Sequence, residues 1–121
     1  MLGAVLAAGL IPRKLRAADG LGRLEVFPRP REAPDFSLRD AKGEEVRASA
    51  FRGKGLVLNF WATWCPPCIT ELPLLERFQR EQQGRGWTVL ALAVDSPTPV
   101  REFLLKRPLA LPVGLAGLDG I

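Results

Sequence analysis

Asn59-Phe60-Trp61-Ala62-Thr63-Trp64-Cys65-Pro66-Pro67-Cys68 (NFWATWCPPC) holds both cysteines of the chain, three positions apart and directly after an apolar run. The run Leu56–Trp61 is nearly all apolar, which suits a central strand covered on both faces. After it, Cys68, Leu72, Leu75 and Phe78 or Gln79 recur at helical spacing, so Cys65 to Gln82 reads as a helix with one buried face. Pro73 should bend this helix without ending it, because the apolar period continues to Phe78. Gly84 and Gly86 mark its end. The cysteines thus fall where a strand turns into a helix.

Further along, Trp87 to Val94 (WTVLALAV) is a second buried strand. Pro99 to Arg107 reads as a short helix with Val100, Phe103 and Leu104 inward, and Leu111 to Leu115 as a third strand. On the N-terminal side, Asp35 to Leu38 is a short extended run, Asp40 to Glu44 (DAKGE) a turn, and Glu45 to Phe51 a strand ending in a helical turn. Strand, helix, strand, helix, strand implies parallel strands joined by crossovers, and the fold class is α/β.

Three segments follow. Residues 1–16 open with the apolar stretch MLGAVLAAGLIP, about half the length needed to cross a bilayer as a helix. It suits an export signal or membrane-anchor remnant, although Arg13, Lys14 and Arg16 follow the apolar core instead of preceding it. Residues 17–33, with Asp19-Gly20, Gly22, Pro28 and Pro30, read as a linker. Residues 34–121 form the domain.

Composition removes several functions. The 47% hydrophobic and 25% charged residues describe a globular chain. Seventeen Lys and Arg against thirteen Asp and Glu give a net charge of +4, but the basic residues are scattered, which argues against nucleic-acid binding. There is no histidine. Ser-His and Cys-His catalysis therefore cannot occur within this chain, and the commonest metal ligand is missing.

A Cys-X-X-Cys pair serves as half a zinc site, as a redox dithiol, or arises by coincidence of small buried residues. Zinc would have to complete its shell with carboxylates alone, so no metal is expected. The strand-to-helix junction favours the dithiol: unpaired N–H groups and the positive end of the helix dipole stabilise a thiolate at Cys65. Pro66 and Pro67 fit a first turn that can dispense with N–H donors. They also remove two donors from the neighbourhood of the sulfur, leaving the Cys68 N–H, which predicts a reductant or moderate exchanger and not a strong oxidant. Cys68, on the Leu72 face, should be buried and act second. Glu71, three residues on, is its neighbour along the helix, placed to raise its thiol pKa and carry its proton or simply to be solvated. Trp61 reads as core. Trp64 is placed to cover the sulfur or, with Pro66 and Pro67, to form a docking surface.

PDFSLRD, FRGKGLVLNFWATWCPPC, the Glu71-Leu72-Pro73 that follows and the later ALAVDS resemble the TlpA-like, thioredoxin-fold thiol-disulfide oxidoreductases of bacterial envelopes. The resemblance runs from about Pro34 to Ile121. It implies a thioredoxin-like sheet flanked by helices, Cys65 as nucleophile, Cys68 as resolving cysteine, an acid at Glu71, and Asn59 where thioredoxin itself has a buried Asp. It further implies a periplasmic location with an N-terminal tether or export, and no cofactor. Protein disulfides, including those of apocytochromes awaiting haem, would be the substrates, and a membrane thiol relay the electron source.

One departure stands out. The family's fold continues with a cis-proline loop, two strands and a final helix, and neither Pro99, Pro108 nor Pro112 sits in the context of that proline. The expectation is a piece of a longer gene or a sheet completed by a partner chain, with Leu56–Trp61 left as an open apolar edge. Two other functions stay open. A peroxiredoxin-like peroxidase shares the PDFSLRD and FRGK opening, but has Pro and Thr where this chain has Leu58 and Ala62. The other is a non-enzymatic fragment or binding module.

Overall fold

A computed structural model describes residues 26–29 and 31–117. The signal or anchor expected over 1–16, and the linker over 17–25 and at residue 30, lie outside the described residues. The unit that carries the cysteines starts at Pro34.

Its elements are β1 (Ser37–Asp40), β2 (Glu45–Arg47), a 3-10 turn (Ala48–Phe51), β3 (Gly55–Trp61), α1 (Pro66–Gln82), β4 (Trp87–Ala93), α2 (Pro97–Lys106) and β5 (Val113–Leu115). They form one sheet in the order β2-β1-β5-β4-β3. β3, β4 and β5 run parallel, as the alternation of strands and helices requires. β1 runs antiparallel to both β2 and β5, which makes the sheet mixed.

β4 is the strand buried on both sides, and its sequence shows why it reads as a continuous apolar run. Val89, Ala91 and Ala93 point into one cluster with Trp61, Leu72 and Val100, so both helices pack on that face. Leu90 and Leu92 point the other way, onto Leu38 with Phe36, Val46, Phe51 and Leu56 around them. Gly114 of β5 completes this second layer: a Cβ there would strike the Leu38 side chain and lie 2.9 Å from Leu92 Cδ2.

β3 does not fill the central place expected from Leu56–Trp61: the strand order puts it at the end of the sheet, with β4 and β5 inside it. Among the described residues β3 pairs with β4 alone and lies at the end of the sheet, the open edge expected there. The register Leu58↔Leu90 and Phe60↔Leu92 puts Leu58 and Phe60 on the second face. There the cover from Phe36 and Phe51 runs out, leaving Leu58 39% and Phe60 59% exposed. Apolar composition tells that a strand has hydrophobic surface to bury, not how many neighbours bury it.

α1 keeps its period through Pro73. Leu72 is fully buried, with Cys68, Leu75 and Phe78 packed against the same cluster. A short 3-10 turn and Gly86, in the left-handed region at φ 81°, return the chain to β4. α2 starts two residues before the expected Pro99, because Pro97 occupies its first turn.

Candidate active site

The dithiol sits at the C-terminal ends of β3 and β4, where open α/β sheets present their functional loops. The Val94 N–H donates to the Trp61 carbonyl at 2.8 Å, extending the β3–β4 ladder to the strand tips. Beyond Trp61, the Cys65 N–H donates to the Ala62 carbonyl at 3.2 Å and closes a turn. Cys65 is the N-cap of α1: its backbone is extended (φ −108°, ψ 94°), and its carbonyl accepts from the Ile69 N–H at 3.1 Å. Pro66 and Pro67 occupy the first two helical positions. They supply no N–H, so Cys68 carries the first donor of the helix. No acidic residue lies in that first turn, so nothing there offsets the positive end of the helix dipole.

Cys65 and Cys68 are joined as a disulfide with Cα atoms 5.3 Å apart, within the usual range for such a bond. Both are half-buried. Full burial of Cys68, expected from the Leu72 face, is not reached: it touches the core cluster from the rim, because the first turn stands clear of the sheet that covers Leu72.

The other expected site residues fall around this bond at different depths. Trp61 is core, 2% exposed, stacked at a tilt on Phe103 with ring centroids 5.2 Å apart. Trp64 is 72% exposed; Pro66, Pro67 and Glu71 are exposed as well. Among the described residues no group of three or more Cys, Asp or Glu is placed to hold a metal ion.

Two residues not singled out from the sequence stand beside the dithiol. Thr63 donates both its N–H (3.1 Å) and its hydroxyl (2.5 Å) to Asp95 Oδ2, and the Ser96 N–H donates to Asp95 Oδ1 at 2.7 Å. The Thr63 hydroxyl, aided by the Thr63 and Ser96 backbone N–H groups and partly opposed by burial, holds the Asp95 carboxyl below its ordinary value of 3.8. The signal that points to Asp95 is its place: a charged residue directly after a buried strand, at the sheet end that carries the cysteines.

The sequence model of the AhpC/TSA family matches residues 30–116. The chain belongs to the AhpC/TSA family. Within this family it is 43% identical over 90 residues to the thiol-disulfide oxidoreductase ResA of Geobacillus kaustophilus, an alignment covering 74% of this chain and 52% of that protein. It is 35% identical over 86 residues to ResA of Bacillus thuringiensis, covering 70% and 50%. A thiol:disulfide interchange protein of the thioredoxin family from Chlorobium tepidum superposes with a TM-score of 0.65 at 33% identity, over 75% of this chain and 63% of that one. This AhpC/TSA chain therefore has the thioredoxin-like sheet flanked by helices, and it spans about half the length of the curated relatives it matches.

Proposed function

We propose that this chain is the dithiol-bearing part of a thiol-disulfide oxidoreductase that reduces protein disulfides. The Cys65 thiolate attacks one sulfur of a substrate disulfide, forms a mixed disulfide and releases the first substrate thiol. The Cys68 thiolate then attacks the Cys65 sulfur, closes the Cys65–Cys68 disulfide and releases the second. Two electrons pass to the substrate and are restored by a membrane thiol relay. Glu71, one turn beyond Cys68, takes up and returns the Cys68 proton. Trp64, Pro66 and Pro67 dock the substrate.

The single observation behind this reading is the disulfide that ties the N-cap of α1 to its first turn. The ResA relatives support the reaction class by name. We further propose a bacterial periplasmic location with an N-terminal tether, and apocytochrome disulfides in cytochrome c maturation as substrates. Among the described residues no helix is long and apolar enough to cross a membrane, so the tether would fall in the leading segment.

Insulin-disulfide reduction by the 121-residue chain, with dithiothreitol as electron source, tests the proposal. Turnover above the dithiothreitol background, lost in Cys65→Ser, is expected. No turnover, or peroxide consumption in its place, would contradict it.

A further inference from the structure

We infer that Asp95 is a positioning residue for the Cys65–Cys68 couple and acts through Thr63. The inference rests on the proposed dithiol exchange and adds what sets its equilibrium.

The chain leaves β3 at Trp61 and enters α1 at Pro66, so the position of Cys65 depends on residues 62–65. Cys65 has no side-chain capping bond to fix it, and the two prolines after it leave only the Cys68 N–H of the first turn as a donor. Ala62 is buried in the core, and among the described residues Thr63 supplies the turn's hydrogen bonds to the β4 end of the sheet. Both of its donors go to one carboxylate oxygen 32 residues away in sequence. Bonds to an ionised acceptor are about twice as strong as neutral ones.

Asp95 is in turn fixed by its own surroundings. The parallel register Trp61↔Ala93 and the Val94 N–H to Trp61 carbonyl bond set the β3 and β4 tips side by side. The Ser96 N–H, at the N-cap of α2, holds the other carboxylate oxygen. The Ala116 N–H donates to the Ala93 carbonyl at 2.8 Å, bracing the β4 tip from the β5 side. A rigid strand end thereby presents an anion to the turn that carries the N-cap cysteine.

The consequence is chemical. Closing the disulfide needs the Cys65 sulfur within bonding range of Cys68, and the effective concentration of one thiol toward the other follows from how firmly the turn is held. Loosening it leaves the cysteines and their sequence spacing intact but disfavours the closed disulfide relative to the dithiol.

The test equilibrates the 121-residue chain and its Thr63→Val, Thr63→Ser and Asp95→Asn variants with reduced and oxidised glutathione, and reads the dithiol-to-disulfide ratio after acid quench and alkylation. Thr63→Val keeps the side-chain shape and removes only the hydroxyl donor; Asp95→Asn gives an independent reading should Thr63→Val not fold. Both are expected to shift the exchange constant toward the dithiol about tenfold, equivalent to about 30 mV for a two-electron couple. Thr63→Ser, which keeps the hydroxyl, is expected within twofold of wild type. A wild-type chain that equilibrates while both variants also stay within twofold would overturn this inference alone. A wild-type chain that closes no disulfide would overturn the proposed exchange and this inference with it.

Discussion

Gln79 of α1 grips the backbone of β4 around Val89: the Val89 N–H donates to Gln79 Oε1 at 2.6 Å, and Gln79 Nε2 donates to the Trp87 carbonyl at 3.3 Å. Val89 is fully buried, and its N–H belongs to the half of the ladder that β3 does not use. A helix side chain thus satisfies a backbone donor that would otherwise be stranded under α1. The same contact clamps the dithiol helix to β4.

Gln79→Leu should therefore cost about 1–3 kcal/mol of stability, the penalty for an unpaired buried donor. Gln79→Glu keeps the acceptor for Val89 and should recover part of the loss. Urea unfolding of the three chains decides it; equal midpoints would show that the clamp carries no energy.

Leu72 is fully buried where α1 crosses the sheet, one turn beyond Cys68. Leu72→Ala should lower stability by about 2–5 kcal/mol through lost burial and the cavity left behind. Leu74, on the opposite face and exposed, should tolerate alanine within about 0.5 kcal/mol. Thermal unfolding by circular dichroism separates the two.

Leu58 and Phe60 form an apolar strip on the strand that ends the sheet. Unpaired edges with apolar side chains promote association. Phe60→Thr keeps a strand-forming residue and should reduce concentration-dependent light scattering with little change in melting temperature. Unchanged scattering would mean that this edge does not drive association.

Acid should destabilise the protein in a way traceable to Asp95. Its folded pKa lies below the ordinary 3.8, so its contribution is complete above that value and is lost as pH falls through the lower folded value. Asp95→Asn should lower stability at neutral pH and flatten the acid limb below about pH 4. Parallel limbs in the two chains, followed by denaturant midpoints from pH 2 to 7, would contradict this.

The elements that proved legible in the sequence are those whose signal is local. WTVLALAV declares β4 because both of its faces are buried, and the Cys68-Leu72-Leu75 spacing declares α1 because one face is. The DAKGE turn is legible for a similar reason: Asp40 Oδ1 accepts from the Lys42 and Glu44 N–H groups at 2.8 Å each, a short-range device of Asp in turns. Pairing across the sheet is not local. Nothing in SLRD announces that β1 lies antiparallel to β5, with Arg39 opposite Leu115. Cys68 lies shallower than its spacing implies, because helical spacing gives a direction and not a distance from the core. Thr63 and Asp95 carry no sequence signal of their contact for the same physical reason as the pairing: each is an ordinary polar residue until the strand tips bring them together.

Trapping the first covalent intermediate tests the roles of the two sulfurs most directly. With a disulfide-bonded protein such as insulin as substrate and non-reducing gel electrophoresis as readout, the 121-residue Cys68→Ser chain should accumulate a mixed disulfide through Cys65. Cys65→Ser should accumulate little or none. Equal trapping by both variants, or by neither, would contradict an N-cap Cys65 that attacks and a Cys68 that resolves.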